Sequence, residues 1–147
     1  ITKILPIFKA KGIELNVLLS GVNPSQKIQK FNELDNVNVS GWVDDIRESY
    51  LKGKIFIAPL FIGTGLQNKL LEAMALNVPC ITTSLANNAL GGKTNSELII
   101  ANTLTEFEDG INLLLNNPSK SLKITEKAQQ FVKDNFDWET SVNQIPF

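Results

Sequence analysis

The stretch IFIAPL, residues 55–60, is apolar at every position. A strand without polar alternation must be covered on both faces, and that is the situation of strands in parallel sheets. Strand-like and helix-like stretches alternate around it. ITKILPIFKAKG places Ile4, Leu5, Ile7 and Phe8 at near-helical spacing and ends at Gly12, a helix stop; Pro6 fits if the helix starts just before it. IELNVLLSG reads as a strand, NPSQKIQKFNEL as a short amphipathic helix and VNVSG as a second strand. VDDIRESYLKG reads as a helix with Asp44 able to cap its first turn. After the 55–60 strand and the segment that follows it, VPCITT is a fourth strand and ELIIA a fifth, separated by a polar, glycine-bearing loop over 84–96. Thr103 and Glu106 have the spacing of a capping box, and Phe107, Ile111, Leu114 and Leu115 form the buried face of the helix they open. A further helix over 118–136 and the start of another at DWETSV complete the pattern. The alternation predicts an α/β fold with a doubly wound parallel sheet, right-handed crossovers and the C-terminal helices packed on it, all in a single domain over residues 1–147.

Composition narrows the chemistry. The chain has 147 residues, 43% hydrophobic and 20% charged, with net charge −1, values of a globular domain with one core. Its 14 basic and 15 acidic residues are interspersed, so no basic stripe marks a nucleic acid or an anionic membrane, and any phosphate site has to be local. There is no histidine. That removes Ser-His-Asp and Cys-His catalysis and the common zinc sites, and leaves carboxylates, lysines and backbone dipoles. Cys80, the single cysteine, lies in an apolar run and reads as a buried small hydrophobe in a reducing compartment. No apolar run approaches the roughly 20 residues that span a bilayer, and a cytoplasmic location is expected. Because the chain opens at Ile1 in a helix-like stretch, it is expected to be part of a longer protein.

In open α/β sheets ligands bind beyond the carboxyl ends of the strands. The loop over 61–65 is such a place. Gly63 and Gly65 can take positive φ and leave the backbone accessible, and the next helix offers free N–H groups and the positive end of its dipole, which suits a diphosphate. Asn68, Lys69 and Glu72 share one side of that helix, and Leu66, Leu70, Ala73 and Met74 line another. Helical side chains lean toward the N-terminus, so Lys69 and Glu72 point back at the loop. Lys69 can neutralise a phosphate, and Glu72 can accept two hydrogen bonds from a vicinal diol such as a ribose. The same residues also fit a solvated helix pair behind a tight turn.

APLFIGTGLQNKLLEAMALNVPCITT closely resembles the donor-binding segment in the C-terminal domain of GT-B glycosyltransferases, above all the retaining family 4, or glycosyl transferases group 1. VLLSG, NVNVSGWVDDIRESYLKGKIFIAP, SELIIANTLTEFEDGINLLLNN and FDWE resemble that family's other motifs, in its order and spacing. The resemblance implies the Rossmann-like half of a GT-B fold whose first central strand is missing. It places Glu72 at the second glutamate of the family's Glu, seven residues, Glu motif, which holds the ribose. Thr64 stands where the first glutamate contacts the donor sugar. Gly63, Thr64 and Gly65 match the diphosphate loop, with Leu66, Gln67 and Lys69 leading into the helix behind it. Val43 falls on the base-binding loop, or is simply a core valine beginning a helix, and Gly21 belongs to the glycine loop after the VLLSG strand. Trp42 could stack on a base, but packing is its expected role. Asn77, where the family has glycine, suits a left-handed helix cap. The loop over 84–96 either covers the donor, with Gly91 and Gly92 as flexible points, or is a surface loop.

The implied function is retaining transfer from a nucleotide-sugar donor in surface polysaccharide biosynthesis, with no metal and no cofactor. A glycan or lipid-linked acceptor would be supplied through a missing N-terminal domain, with peripheral placement at the inner face of the membrane through that domain, and no nucleic acid is expected as a partner. Without that domain the chain is expected to be inactive alone, and unpaired strand edges raise the prospect of self-association. A non-catalytic binding or assembly module and a nucleotide-sugar epimerase are the alternatives. An NAD-binding Rossmann domain is disfavoured, because SGVNPSQ lacks the three-glycine fingerprint.

Overall fold

The computed structural model describes residues 1–63 and 65–136, and its contacts divide the chain into two compact units, Ile1–Gly53 and Lys54–Phe147. DWETSV and Thr64 lie outside the described residues.

In the first unit, α1 (Ile4–Ala10) carries Pro6 in its first turn, where a missing N–H breaks no helical bond. It ends on Gly12, whose φ of 73° lets Gly12 N and Ile13 N donate back to Lys9 O and Phe8 O. Strands β1 (Val17–Ser20) and β2 (Val37–Gly41) pair in parallel from Val17 opposite Val37, with a register shift between Leu19 and Ser20. Between them run α2 (Gln26–Gln29) and a 3-10 turn (Lys30–Glu33), shorter pieces than the single helix expected there. After β2 comes α3 (Ile46–Lys52). Its cap is Asp45 rather than Asp44: Asp45 is the extended residue immediately before the first helical one, and its Oδ1 accepts from Arg47 N at 2.9 Å. Arg47 also pairs with the Asp45 carboxylate at 2.7 Å, and hydrogen bonds from the Arg47 side chain and backbone, in that order of weight, hold the carboxyl below its ordinary range. Phe8, Val37 and Tyr50 are buried.

The second unit runs β3 (Phe56–Ala58), α4 (Asn68–Ala75), β4 (Cys80–Thr82), α5 (Ser84–Asn87), β5 (Ile99–Ile100), α6 (Leu104–Asn116) and α7 (Pro118–Phe136). All three strands are parallel in the order β3-β4-β5, with Phe56 opposite Cys80 and Ile81 opposite Ile99. The central strand, β4, is buried at all three positions, Thr82 included, whereas β3, expected to be covered on both faces, is an edge strand of this sheet with Phe56 half-buried and Ile57 39% exposed. Burial pushes the Cys80 thiol up to about 12, so it remains protonated and serves as packing.

Helix α4 buries Leu70, Ala73 and Met74 and ends in a Schellman turn. Asn77 takes φ 57°, Asn77 N donates to Met74 O and Val78 N to Ala73 O, so asparagine fills the left-handed position as its sequence context predicts. Helix α7 packs on α4 and α6 with Ile124, Thr125 and Ala128 buried, and Gln129 Nε2 donates to Ala75 O at 3.0 Å. Helix α6 starts with the capping box expected from Thr103 and Glu106 and buries Phe107, Ile111 and Leu114, while Leu115 is only half-buried. Gly110 faces Ile81 and Ile99 so closely that a Cβ there would lie 3.0 Å from Ile99 Cγ2 and 3.2 Å from Ile81 Cδ1.

Candidate functional site

The second unit gathers its loops at the carboxyl ends of β3, β4 and β5. Strand β3 leaves through Pro59 and Leu60 into the glycine loop. The Phe61 ring meets that of Phe107 in a tilted pair with centroids 6.5 Å apart, a spacing at which aromatic edges and faces attract. Beyond it Ile62 is 91% exposed, and Gly63 and Gly65 adopt φ of 127° and 87°. Both values lie where a side chain strains the backbone, and a Cβ at either glycine would meet open space, so the glycines serve the backbone path and its accessibility.

The start of α4 carries no side-chain cap. Gln67, its N-cap, turns its own side chain back so that Nε2 donates to Gly65 O at 3.1 Å, and Leu70 N and Leu71 N both donate to Gln67 O. Leu66 N, Asn68 N and Lys69 N have no backbone hydrogen bond to a described residue, and they sit at the positive end of the helix dipole. Asn68, Lys69 and Glu72 are exposed, on the side away from buried Leu70, Ala73 and Met74. The shared exposed face expected for Lys69 and Glu72 is therefore present. Leu66 does not join the apolar face: it precedes the helix and is exposed. This arrangement can present backbone N–H groups and one ammonium to an anion, with a carboxylate one turn further on.

The loop over 84–96 has more structure than its polar composition suggests. Thr83 caps α5, its Oγ1 accepting from Ala86 N at 3.2 Å. Asn87 then clasps Gly92, Nδ2 to Gly92 O at 2.7 Å and Gly92 N to Oδ1 at 3.1 Å. Gly92 is buried against Leu98, so it is an anchored position and not a flexible point; Gly91, exposed at φ 78°, keeps that freedom.

Side chains absent from the sequence-based set tie these loops together. Thr82 Oγ1 donates to Ala58 O at 2.9 Å, and Thr83 Oγ1 donates to Leu60 O. Asn102 Oδ1 accepts from Ser84 N at 3.0 Å and Ser84 Oγ at 2.8 Å. The Glu106 carboxylate accepts from Asn102 N and Thr103 N, and these bonds hold it below its ordinary range. The signal available for Thr83 was a threonine ending an apolar strand just before a helical turn.

The remaining expected residues belong to the first unit. Gly21 is exposed after β1, and its N–H donates to Gly41 O at 3.0 Å. Val43 is half-buried in the connection between β2 and α3, outside any helix. Trp42 is 66% exposed, contrary to the packing role expected of it, and it follows Gly41, which takes φ 67°. Two open grooves lie elsewhere, one beside Asn16, Asn32 and Asn38 and one among Asn95, Asn117 and the lysines at 120, 123 and 127; neither is lined by the glycine loop.

Residues 1–117 match the family described as glycosyl transferases group 1. A protein of Klebsiella pneumoniae described as an uncharacterized 44.6 kDa protein in the cps region is 29% identical over 94 residues, 64% of this chain. The chain corresponds to about a quarter, 24%, of that relative's length. Among solved structures, Anabaena Alr3699/HepE in complex with UDP superposes with a TM-score of 0.77 at 17% identity, covering 88% of this chain and 39% of its own. A glycosyltransferase from Rickettsia africae superposes at 0.79 with 16% identity, over 97% and 41% of the two chains. The parallel α/β units, the glycine loop before α4 and a match over four-fifths of the length lead to one conclusion: the chain belongs to the glycosyl transferases group 1 family and has the Rossmann-like fold of GT-B enzymes.

Proposed function

We propose that the protein is a nucleotide-sugar-dependent glycosyltransferase of surface polysaccharide biosynthesis, and that the glycine loop with the start of α4 holds the donor's diphosphate. The observation that carries this reading is the uncapped N-terminus of α4. It follows two left-handed glycines and shares its exposed side with Lys69 and Glu72. Helix N-termini favour anions, and donors aimed at a departing diphosphate stabilise the charge that develops as the sugar leaves. In this reading the loop N–H groups and Lys69 take the diphosphate, and Glu72 takes the two ribose hydroxyls. Thr64, Leu66 and Gln67 border the donor. Transfer proceeds with retention at the anomeric carbon, without a metal, and the acceptor is a glycan or a lipid-linked glycan at the cytoplasmic face of the membrane. Support comes from HepE, solved with UDP and with UDP-glucose, and from the position of the Klebsiella relative in a cps region.

A second reading, a binding module without transfer, is favoured by Thr64, which the resemblance places where the first glutamate of the Glu, seven residues, Glu motif would stand. Calorimetric titration of the intact protein with UDP, GDP and ADP, followed by a transfer assay with the matching nucleotide sugars, tests both. Saturable binding of one nucleoside diphosphate with turnover of its sugar is the expected result. Binding without turnover would favour the second reading, and absence of binding to all three would remove both.

A further inference from the structure

The glycine loop has to leave β3 at one defined point, yet two of its residues are glycines in left-handed conformations, and Ile62 beside them packs on little. Such a segment has the largest backbone freedom to lose when a ligand orders it. Its far end is fixed by Gln67, and its near end by Thr83. The Thr83 side chain is 1% exposed, and its single hydroxyl makes two bonds of opposite sense: Oγ1–H donates to Leu60 O, and the same oxygen accepts from Ala86 N in the cap of α5. Only a hydroxyl residue can serve both partners from one atom in that space. Next door, Thr82 makes the equivalent donation to Ala58 O, but within the β3–β4 pairing and two residues short of the loop. Ser84, on the other side, is held by Asn102. Loop take-off is thus tied to the β4–α5 corner through the Thr83 hydroxyl, beside the Leu60 N bond to Ala58 O and the Phe61–Phe107 ring pair.

We infer that Thr83 is a positioning residue for ligand binding, whose hydroxyl holds the start of the glycine loop in the path that presents its N–H groups. The inference rests on the reading that this loop takes a nucleoside diphosphate. Thr82 supplies the comparison, since Thr82→Val also removes a buried hydroxyl and one bond to a β3-side carbonyl, Ala58 O, which keeps its bond from Leu60 N.

The experiment compares Thr83→Val, Thr83→Ser and Thr82→Val in the intact protein. Two readouts are backbone order parameters of residues 61–66 from 15N relaxation and the affinity for UDP, with GDP and ADP in parallel. Thr83→Val is expected to lower the order of 61–66 and weaken nucleotide binding by about tenfold, the scale of one net hydrogen bond. Thr83→Ser is expected to restore both, and Thr82→Val to lower thermal stability while leaving both at wild-type values. Thr83→Ala serves as the second variant should Thr83→Val not fold. The inference is overturned if Thr83→Val matches Thr82→Val in both readouts, or if loop order falls while affinity stays unchanged. If the wild-type protein binds none of the three nucleotides, the functional reading fails, and Thr83 fails with it as a ligand-positioning residue; the order parameters then report only whether it anchors the loop.

Discussion

Glu72 and Lys69 stand on the exposed side of α4, while Leu70, Ala73 and Met74 on the opposite side fix how the helix faces the sheet. A carboxylate held in that way can accept both hydroxyls of a vicinal diol, and hydrogen bonds to charged groups contribute about 1.5–3 kcal/mol each. Glu72→Ala is therefore expected to weaken nucleoside diphosphate binding by about a hundredfold or more, as measured by calorimetric titration. Wild-type affinity in that variant would remove the ribose role. The residues most legible in the sequence were those whose chemistry follows from local spacing: the glycines at 63 and 65, the lysine and glutamate one turn apart, and Asn77 at the helix end. Trp42 and Leu66 were misjudged for one reason. Large apolar side chains are assigned to packing on average, but here one follows a left-handed glycine in the connection after β2 and the other lies in the segment before α4, and both are exposed. Thr83 escaped attention because its function depends on Leu60, 23 residues away in the chain, and no local pattern reports that contact.

Helix α6 shows at the level of an element how cap and packing divide the work. Its capping box places the Glu106 carboxylate on two backbone N–H groups, which lowers its pKa from the ordinary 4.5. A carboxyl whose folded value is depressed contributes stability that is present above its unfolded pKa and lost as pH falls through the folded one. Urea unfolding midpoints are thus expected to drop as pH decreases below about 4.5, and Glu106→Gln is expected to shrink that drop. An unchanged slope in the variant would assign the acid sensitivity to other carboxylates, Asp45 among them. On the buried side of the same helix, Gly110 allows close approach to β4 and β5. Gly110→Ala gains about 1 kcal/mol of helix propensity, but it places a methyl 3.0 Å from Ile99 and 3.2 Å from Ile81, and overpacking costs about 1–3 kcal/mol. Net destabilisation is expected in chemical denaturation, and a raised midpoint would show that the strands yield. Periodicity and the Thr103-to-Glu106 spacing made this helix legible in advance, whereas α5 was hidden in a polar stretch whose four helical residues are too few to show a period.

For the molecule as a whole, alternation of strand and helix identified a parallel α/β fold, and the strands are parallel in both units. Their division into a two-stranded and a three-stranded sheet was less legible, because strand order depends on contacts distant in sequence. The family match covers residues 1–117 and stops before α7, although α7 packs on α4 and reaches Ala75 through Gln129. The central claim is that the molecule receives a diphosphate at the N-terminus of α4. The most direct measurement adds UDP, GDP or ADP to the 15N-labelled intact protein and follows its amide resonances. Saturable shifts are expected at Gly63, Gly65, Leu66, Asn68 and Lys69, and inorganic pyrophosphate should reproduce part of them. Shifts that leave these five amides unmoved while others titrate would contradict the claim.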